Sequence, residues 1–198
     1  NGSIYFAATN ATDGHELWVT DGTEGGTFML KNLHPTASSA PYYFAVLGDR
    51  LYFRASDDTN GMDLWISDGT ADGTIMLKDI NDAGVANVQS LTPFDGHVFF
   101  SATDGTNGNE PWISDGTADG TIMLRNIGAG GIVSNPEGFT SAGELLFFAV
   151  DIGFSDASHD LWITDGTEAG TELVKDINPA DYDYVQQLSE FKGKLLFV

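Results

Sequence analysis

The sequence contains no cysteine, so no disulfide frame and no cysteine-based zinc site can hold it together. That absence does not settle the compartment. Basic residues are scarce: 8 Lys and Arg stand against 29 Asp and Glu, a formal charge of −21. Nucleic acid and anionic membrane both require a basic surface, which argues against either as a partner. No run of about 20 apolar residues and no secretory leader is present. The four histidines, His15, His34, His97 and His159, are scattered with no zinc-type spacing, and they read as ordinary turn residues. Neither a Gly-x-Ser-x-Gly elbow nor a phosphate-binding glycine loop occurs. No paired acid–base constellation recurs, and the expectation is that the chain is not an enzyme.

What is present is a repeat. ELWVTDGTEGGT at 16–27 returns as DLWISDGTADGT at 63–74, EPWISDGTADGT at 110–121 and DLWITDGTEAGT at 160–171. Trp18, Trp65, Trp112 and Trp162 are spaced 47, 47 and 50 residues apart. With 41% hydrophobic and 12% aromatic residues the chain can build a core. Each unit offers four short β-rich segments bounded by Gly, Asn or Asp, and no helical periodicity competes. A repeat of this length with several short strands predicts an all-β fold, a four-bladed β-propeller module over 1–191. The units fall at about 1–47, 48–94, 95–142 and 143–191.

The chain opens without Met and closes in mid-strand at KLLFV, so it reads as a segment of something longer. GSIYF at 2–6 matches GKLLF at 193–197. On this reading VQQLSEF at 185–191 supplies the inner strand of the first unit and closes the ring. Residues 192–198 then begin a following unit, or the four units belong to a larger ring of six to eight blades. Leu195 and Phe197 are the expected inter-module contacts.

Setting Thr20 opposite Thr27 places Trp18 opposite Met29, Trp65 opposite Met76, Trp112 opposite Met123 and Trp162 opposite Leu173. The same register sets Glu16 against Lys31, Asp63 against Lys78, Glu110 against Arg125 and Asp160 against Lys175. Such cross-strand charge pairs contribute about 0.2–1 kcal/mol each, and Met against indole about 0.3–1.5 kcal/mol. These acids are therefore expected to close hairpins. Asp21, Asp68, Asp115 and Asp165 are expected to accept from N–H groups two residues on, with Gly22, Gly69, Gly116 and Gly166 at positive φ. Pro111 replaces Leu in the third copy; lacking an N–H, it should begin a strand or face away from a neighbour.

A second set of acidic loops precedes each tryptophan strand. Calcium is the cation their carboxylates suit, with Asp13, Asp57, Asp58, Asp104, Asn107, Asp151 and Asp156 as candidate ligands. A solvated Asx turn is the competing reading, since no EF-hand pattern fits. Asp176, Asp181 and Asp183 form a second acidic cluster open to the same two readings. Asn1 and Asn10 head N-x-[ST] sequons and are candidate glycosylation sites.

The motif resembles the ELWxxDGT repeat family of bacterial, largely secreted or surface proteins. The resemblance spans nearly the whole chain in four copies. It implies a β-propeller-like protein at the cell surface or outside the cell, and it brings no catalytic residues. Two functions follow as expectations. One is a structural module of a fibre, sheath or adhesin stalk, whose partners are copies of itself. The other is a propeller that binds glycans or proteins, for which the loop aromatics Tyr42, Tyr43, Phe154, Tyr182 and Tyr184 are candidates.

Overall fold

The computed structural model describes residues 2–128, 131–151, 159–175, 185 and 187–198. Every regular element among them is a strand, as the repeat predicts. The first unit is a three-stranded antiparallel sheet: β1 (Ile4–Asn10), β2 (Gly14–Thr20) and β3 (Phe28–Lys31). Three four-stranded antiparallel meanders follow. The second unit holds β4 (Tyr42–Leu47), β5 (Arg50–Ala55), β6 (Asp63–Ser67) and β7 (Ile75–Lys78). The third holds β8 (Gln89–Phe94), β9 (His97–Thr103), β10 (Asn109–Ser114) and β11 (Ile122–Met123). The fourth holds β12 (Glu137–Ala142), β13 (Leu145–Asp151), β14 (His159–Thr164) and β15 (Glu172–Lys175). A two-stranded hairpin, β16 (Ser189–Phe191) and β17 (Lys194–Leu196), comes last.

The core lies between successive sheets. Leu17, Val19 and Leu30 of the first unit pack on Leu51, Phe53 and Trp65 of the second. Leu64, Ile66 and Leu77 meet Val98, Phe100 and Trp112; Phe99, Ile113 and Leu124 meet Leu146, Phe148 and Trp162. Both faces of a middle sheet are thus covered, which is why LYF and LWI are apolar throughout instead of alternating. Phe53 and Trp65 stack with centroids 6.4 Å apart, and Phe100 and Trp112 repeat this at 6.3 Å. Each fully buried aromatic of this kind contributes about 1.5–3 kcal/mol. The first strands β4, β8, β12 and β16 touch in succession along one side of the series.

The expected ring closure is not formed. β16 pairs with β17, through Ser189↔Leu196 and Phe191↔Lys194, and not with β1. The reason is local. Lys192 and Gly193 both take positive φ (53° and 74°), the two-residue geometry that twists with a hairpin. Closing that turn costs far less chain entropy than joining strands some 180 residues apart. Five sheets of two to four strands therefore follow one another in an open series.

Candidate functional site

The tryptophan pairings match the expected register: Trp18↔Met29, Trp65↔Met76, Trp112↔Met123 and Trp162↔Leu173. The turn between them is built as expected too. Thr23 N donates to Asp21 Oδ1 at 2.9 Å, and Thr70, Thr117 and Thr167 repeat the bond on Asp68, Asp115 and Asp165. The four turn glycines, Gly22, Gly69, Gly116 and Gly166, sit at φ between 89° and 91°. The threonine hydroxyls, then the same threonine N–H groups, hold all four aspartates below the usual carboxylate range. These acids are turn-formers.

Among the described residues the expected pairs of Glu16 with Lys31, Asp63 with Lys78 and Glu110 with Arg125 do not form. A β-bulge follows each tryptophan pairing in three of the units, so Lys31 stands opposite Leu17, Lys78 opposite Leu64 and Lys175 opposite Leu161. The extra residue, Leu30 or Leu77, turns into the core. Pro111 sits inside β10 at the position of Leu17 and Leu64, paired with Ser101; it does not begin the strand. Its carbonyl accepts from Leu124 N at 2.8 Å.

The bulge sends the basic side chain to the next unit. Lys31 Nζ donates to Thr74 O at 2.7 Å. Lys78 Nζ donates to Thr121 O at 2.8 Å and Ala118 O at 3.0 Å. The Arg125 guanidinium donates to Thr171 O and Glu168 O. Each cation therefore latches the Asp-Gly-Thr turn of its successor. The acids point the other way, into the interior. Glu16 is fully buried and accepts from Leu33 N (2.8 Å), Ser39 N (2.9 Å) and Ser39 Oγ (2.6 Å). Glu110 accepts from Ile127 N, Gly128 N and Ser134 Oγ. They clamp the loop that leads into the next sheet. Burial pushes the Glu110 carboxyl up, and these bonds offset it only partly.

The candidate calcium ligands lie apart, one loop per unit. Asp57 Oδ1 accepts from Thr59 N and Asn60 N, and Asp104 Oδ1 from Thr106 N and Asn107 N. Burial raises both carboxyls, but the N–H donors outweigh it and leave them low. Asp13 accepts from Asn10 Nδ2 at 2.7 Å and from Asn32 Nδ2 at 3.1 Å. The Asn10 amide is thus engaged with Asp13 inside its own loop. Asn107 Oδ1 accepts from Asn126 Nδ2. Asp58 Oδ1 lies 2.8 Å from His34 Nδ1 and accepts from Thr36 Oγ1. Among the described residues no three His, Asp or Glu side chains converge as a metal set. Asn1, Phe154, Asp156, Asp176, Asp181, Tyr182, Asp183 and Tyr184 lie outside the described residues. Leu195 is half-buried against Ala149, Leu161 and Val185, while Phe197 is exposed.

Residues that differ among the units meet at one position. Strand pairing sets Tyr42 against Arg54, Gln89 against Ser101, and Glu137 against Ala149. In the second unit the Arg54 guanidinium lies 5.0 Å from the Tyr43 ring centre and 5.9 Å from that of Tyr42. Between the third and fourth units the corresponding space is a polar cavity of about 300 Å³. Gln89, Ser101, Asn109, Glu137, Asp151 and His159 line it. His159 Nε2 is 3.8 Å from Glu137 Oε1. Asn109, which is buried, donates to Asn135 Oδ1 at 3.3 Å, yet its own Oδ1 is buried without a partner. Asp151 Oδ1 is likewise buried and has no hydrogen-bond partner among the described residues. Of this set the sequence suggested only Asp151, and for calcium. The signal for Asn109 and His159 is the residue before the acid of the repeated phrase: His15, Met62, Asn109 and His159 vary where the framework does not.

No protein-family model and no curated protein matches the chain. Two crystal structures of puromycin hydrolase resemble it, each with a TM-score of 0.55, at 16% and 17% identity. The match covers 98% of this chain and 31% of the hydrolase, so the chain spans about a third of that protein's length. An α-L-arabinofuranosidase from Clostridium thermocellum aligns at 16% identity, over 98% of this chain and 77% of that one, with a TM-score of 0.32 that carries no argument. The hydrolase match shows a shared fold alone. The expectation that the chain is not an enzyme, which rested on the lack of a recurring acid–base constellation, is overturned to this extent: solved hydrolases share its fold.

Proposed function

We propose that the chain is a run of β-propeller blades, displayed outside the cell, whose polar cavity between the third and fourth units binds a hydroxyl-rich ligand such as a glycan. The observation that supports this is the pair of buried, unpaired acceptors, Asn109 Oδ1 and Asp151 Oδ1, in that cavity. An unsatisfied buried acceptor costs about 1–3 kcal/mol, and a ligand hydroxyl that donates to it recovers that cost on binding. At about 300 Å³ the cavity is at the small end of ligand sites, suited to one or two sugar rings. Sheets that carry one repeated framework and one variable layer fit a scaffold with an interchangeable recognition position. Glu137 and His159 are the acid–base pair on which a hydrolytic version of this site would rest.

The test is a screen of soluble oligosaccharides by calorimetry against the wild-type chain and Gln89→Leu. Gln89 is a partly exposed cavity residue whose replacement leaves the core intact. Saturable binding lost in the variant supports the reading. No saturable binding up to millimolar sugar, or binding indifferent to the variant, refutes it. Release of a free sugar during the titration would extend the reading from binding to hydrolysis. The second reading, a structural module, is favoured by a different observation, the latches that join each unit to the next.

A further inference from the structure

The joint between units is made three times by the same parts. A residue of the second strand and the basic residue after the bulge hold the successor's turn. A Cβ on Gly69 would stand 2.5 Å from Tyr5 Oη, one on Gly116 2.6 Å from Tyr52 Oη, and one on Gly166 3.6 Å from Phe99. Lys31, Lys78 and Arg125 complete these joints on Thr74, Thr121 and Thr171. The two ends of the series carry the two halves of a fourth joint. Lys175 has no partner among the described residues. A Cβ on Gly22 would meet nothing within 4 Å, and among the described residues no side chain donates to the Thr27 carbonyl.

The apolar faces tell the same story. Ile4 is 66% exposed, where its counterparts Leu51, Val98 and Leu146 are buried. Val174 is 46% exposed, where Leu30, Leu77 and Leu124 are buried. Meanwhile β17, whose GKLLF aligns with the GSIYF that opens β1, fills the place of a second strand beside β16 with only three residues. A hairpin of two strands is marginal by itself, and β16 is exposed throughout.

The geometry points to a head-to-tail contact in which the β1–β3 sheet of a second copy displaces β17 from β16, so that Phe147 and Lys175 hold the second copy's Gly22–Thr27 turn. The product is a complete four-stranded sheet in the order β16, β1, β2, β3, with a joint like the three already present. A second copy is favoured over the chain's own β1 because, among the described residues, β1 pairs only with β2 and β16 only with β17, and the two do not pair with each other. The contact is heterologous, so it repeats from copy to copy and extends as a fibre wherever its rotation does not close a ring. It does not depend on what the polar cavity binds.

The absence of native cysteine gives a direct test. Phe191 faces Lys194, the counterpart of Ser3, so a chain carrying Ser3→Cys and Phe191→Cys places the two thiols across the new strand pair. Both positions are exposed, and folding is checked by circular dichroism. The work is done in about 0.3 M salt to screen the charge of −21 on each copy. A ladder of dimers, trimers and longer species on a non-reducing gel is expected. In sedimentation, the mass of the cysteine-free chain should rise with concentration. Lys175→Met should lower that association constant about tenfold or more, the effect of one charge-assisted bond. A single internally cross-linked monomer would mean self-closure and overturn the proposal. So would a monomer at every concentration, or association indifferent to Lys175→Met.

Discussion

The second unit carries an incomplete copy of the buried clamp, and completing it should stabilise the protein. Glu16 and Glu110 each accept two backbone N–H bonds and a serine hydroxyl. Their counterpart Asp63 is one methylene shorter, and the serine position is occupied by Ala86. Asp63 is fully buried, accepts one hydrogen bond, from Ile80 N at 3.0 Å, and leaves Oδ2 without a partner. Burial, with the charges of Asp79 and Asp57 nearby and only the Ile80 N–H and a weaker pull from the Asn81 N–H to offset it, pushes its carboxyl up to about 6. The combined change Asp63→Glu with Ala86→Ser supplies the reach and the hydroxyl together. Satisfying a buried charged acceptor with two further bonds should add about 2 kcal/mol. For a chain of 198 residues that corresponds to a rise of about 4–8 °C in Tm. Thermal and urea unfolding followed by circular dichroism at pH 8 reads the change, and hydrogen exchange at Ile80 localises it. Ala86→Ser alone buries a hydroxyl that the short acid cannot reach, and should be neutral or destabilising. A double variant no more stable than wild type, or a gain produced by Ala86→Ser alone, would refute the clamp logic.

Asp63 also sets a pH dependence. Its folded-state pKa lies above its unfolded value of 3.8, so the folded state binds the extra proton between pH 3.8 and about 6. Stability is therefore expected to fall as pH rises through that window, by about 3 kcal/mol, and Asp63→Asn should flatten the profile. The turn aspartates act in the opposite sense: their pKa values are lowered, so their contribution is lost only as pH falls below about 3.8. Gly69→Ala should cost at least about 1–2 kcal/mol, because it forces a Cβ at φ 90° against Tyr5 Oη; Gly22→Ala, with the same φ and open space, should cost less in urea unfolding. Lys78→Met should destabilise by about 1–3 kcal/mol, whereas Lys175→Met should leave the Tm of the dilute chain unchanged. Calcium should raise the Tm no further than sodium chloride of equal ionic strength, because Asp57 and Asp104 already hold their own loops' N–H groups; a shift of several degrees abolished by Asp57→Asn would bring back the calcium reading.

What was legible in the sequence was what recurs locally. Asp21 and Gly22 form the turn their types demand, since Asx bonding and positive φ are decided within four residues. Trp18 against Met29 followed from counting outward from the turn, because a hairpin carries its register from its loop. The count failed one residue later, at the bulge between Trp18 and Leu17. A bulge has no signal of its own here, since it occurs at the same place in copy after copy and so leaves the spacing of the repeat unchanged. Ring closure failed for a related reason. VQQLSEF resembles an inner strand, but its partner is chosen by competition between a distant β1 and an adjacent β17 of similar apolar pattern, and the nearer one wins. The polar cavity was invisible because its lining residues come from segments up to about 70 positions apart and none belongs to the repeated phrase.

The bulge explains why one phrase is written four times with both an acid and a base. In a regular hairpin Glu16 and Lys31 would neutralise each other on one exposed face, adding a few tenths of a kcal/mol and joining nothing beyond the hairpin. With one extra residue the two part company. The acid is taken inward to the N–H groups of the loop that leaves its own sheet, as Glu16 is to Leu33 and Ser39. The base is sent outward to the carbonyls of the sheet that comes next, as Lys31 is to Thr74. One bond fixes where the chain goes and the other fixes what it meets there. The base cannot be satisfied by an isolated unit, because it finds its acceptors only on a successor. A unit built this way is complete only in the middle of a series, and that requirement is what makes Lys175, without a partner among the described residues, and the open Gly22–Thr27 turn halves of the same contact.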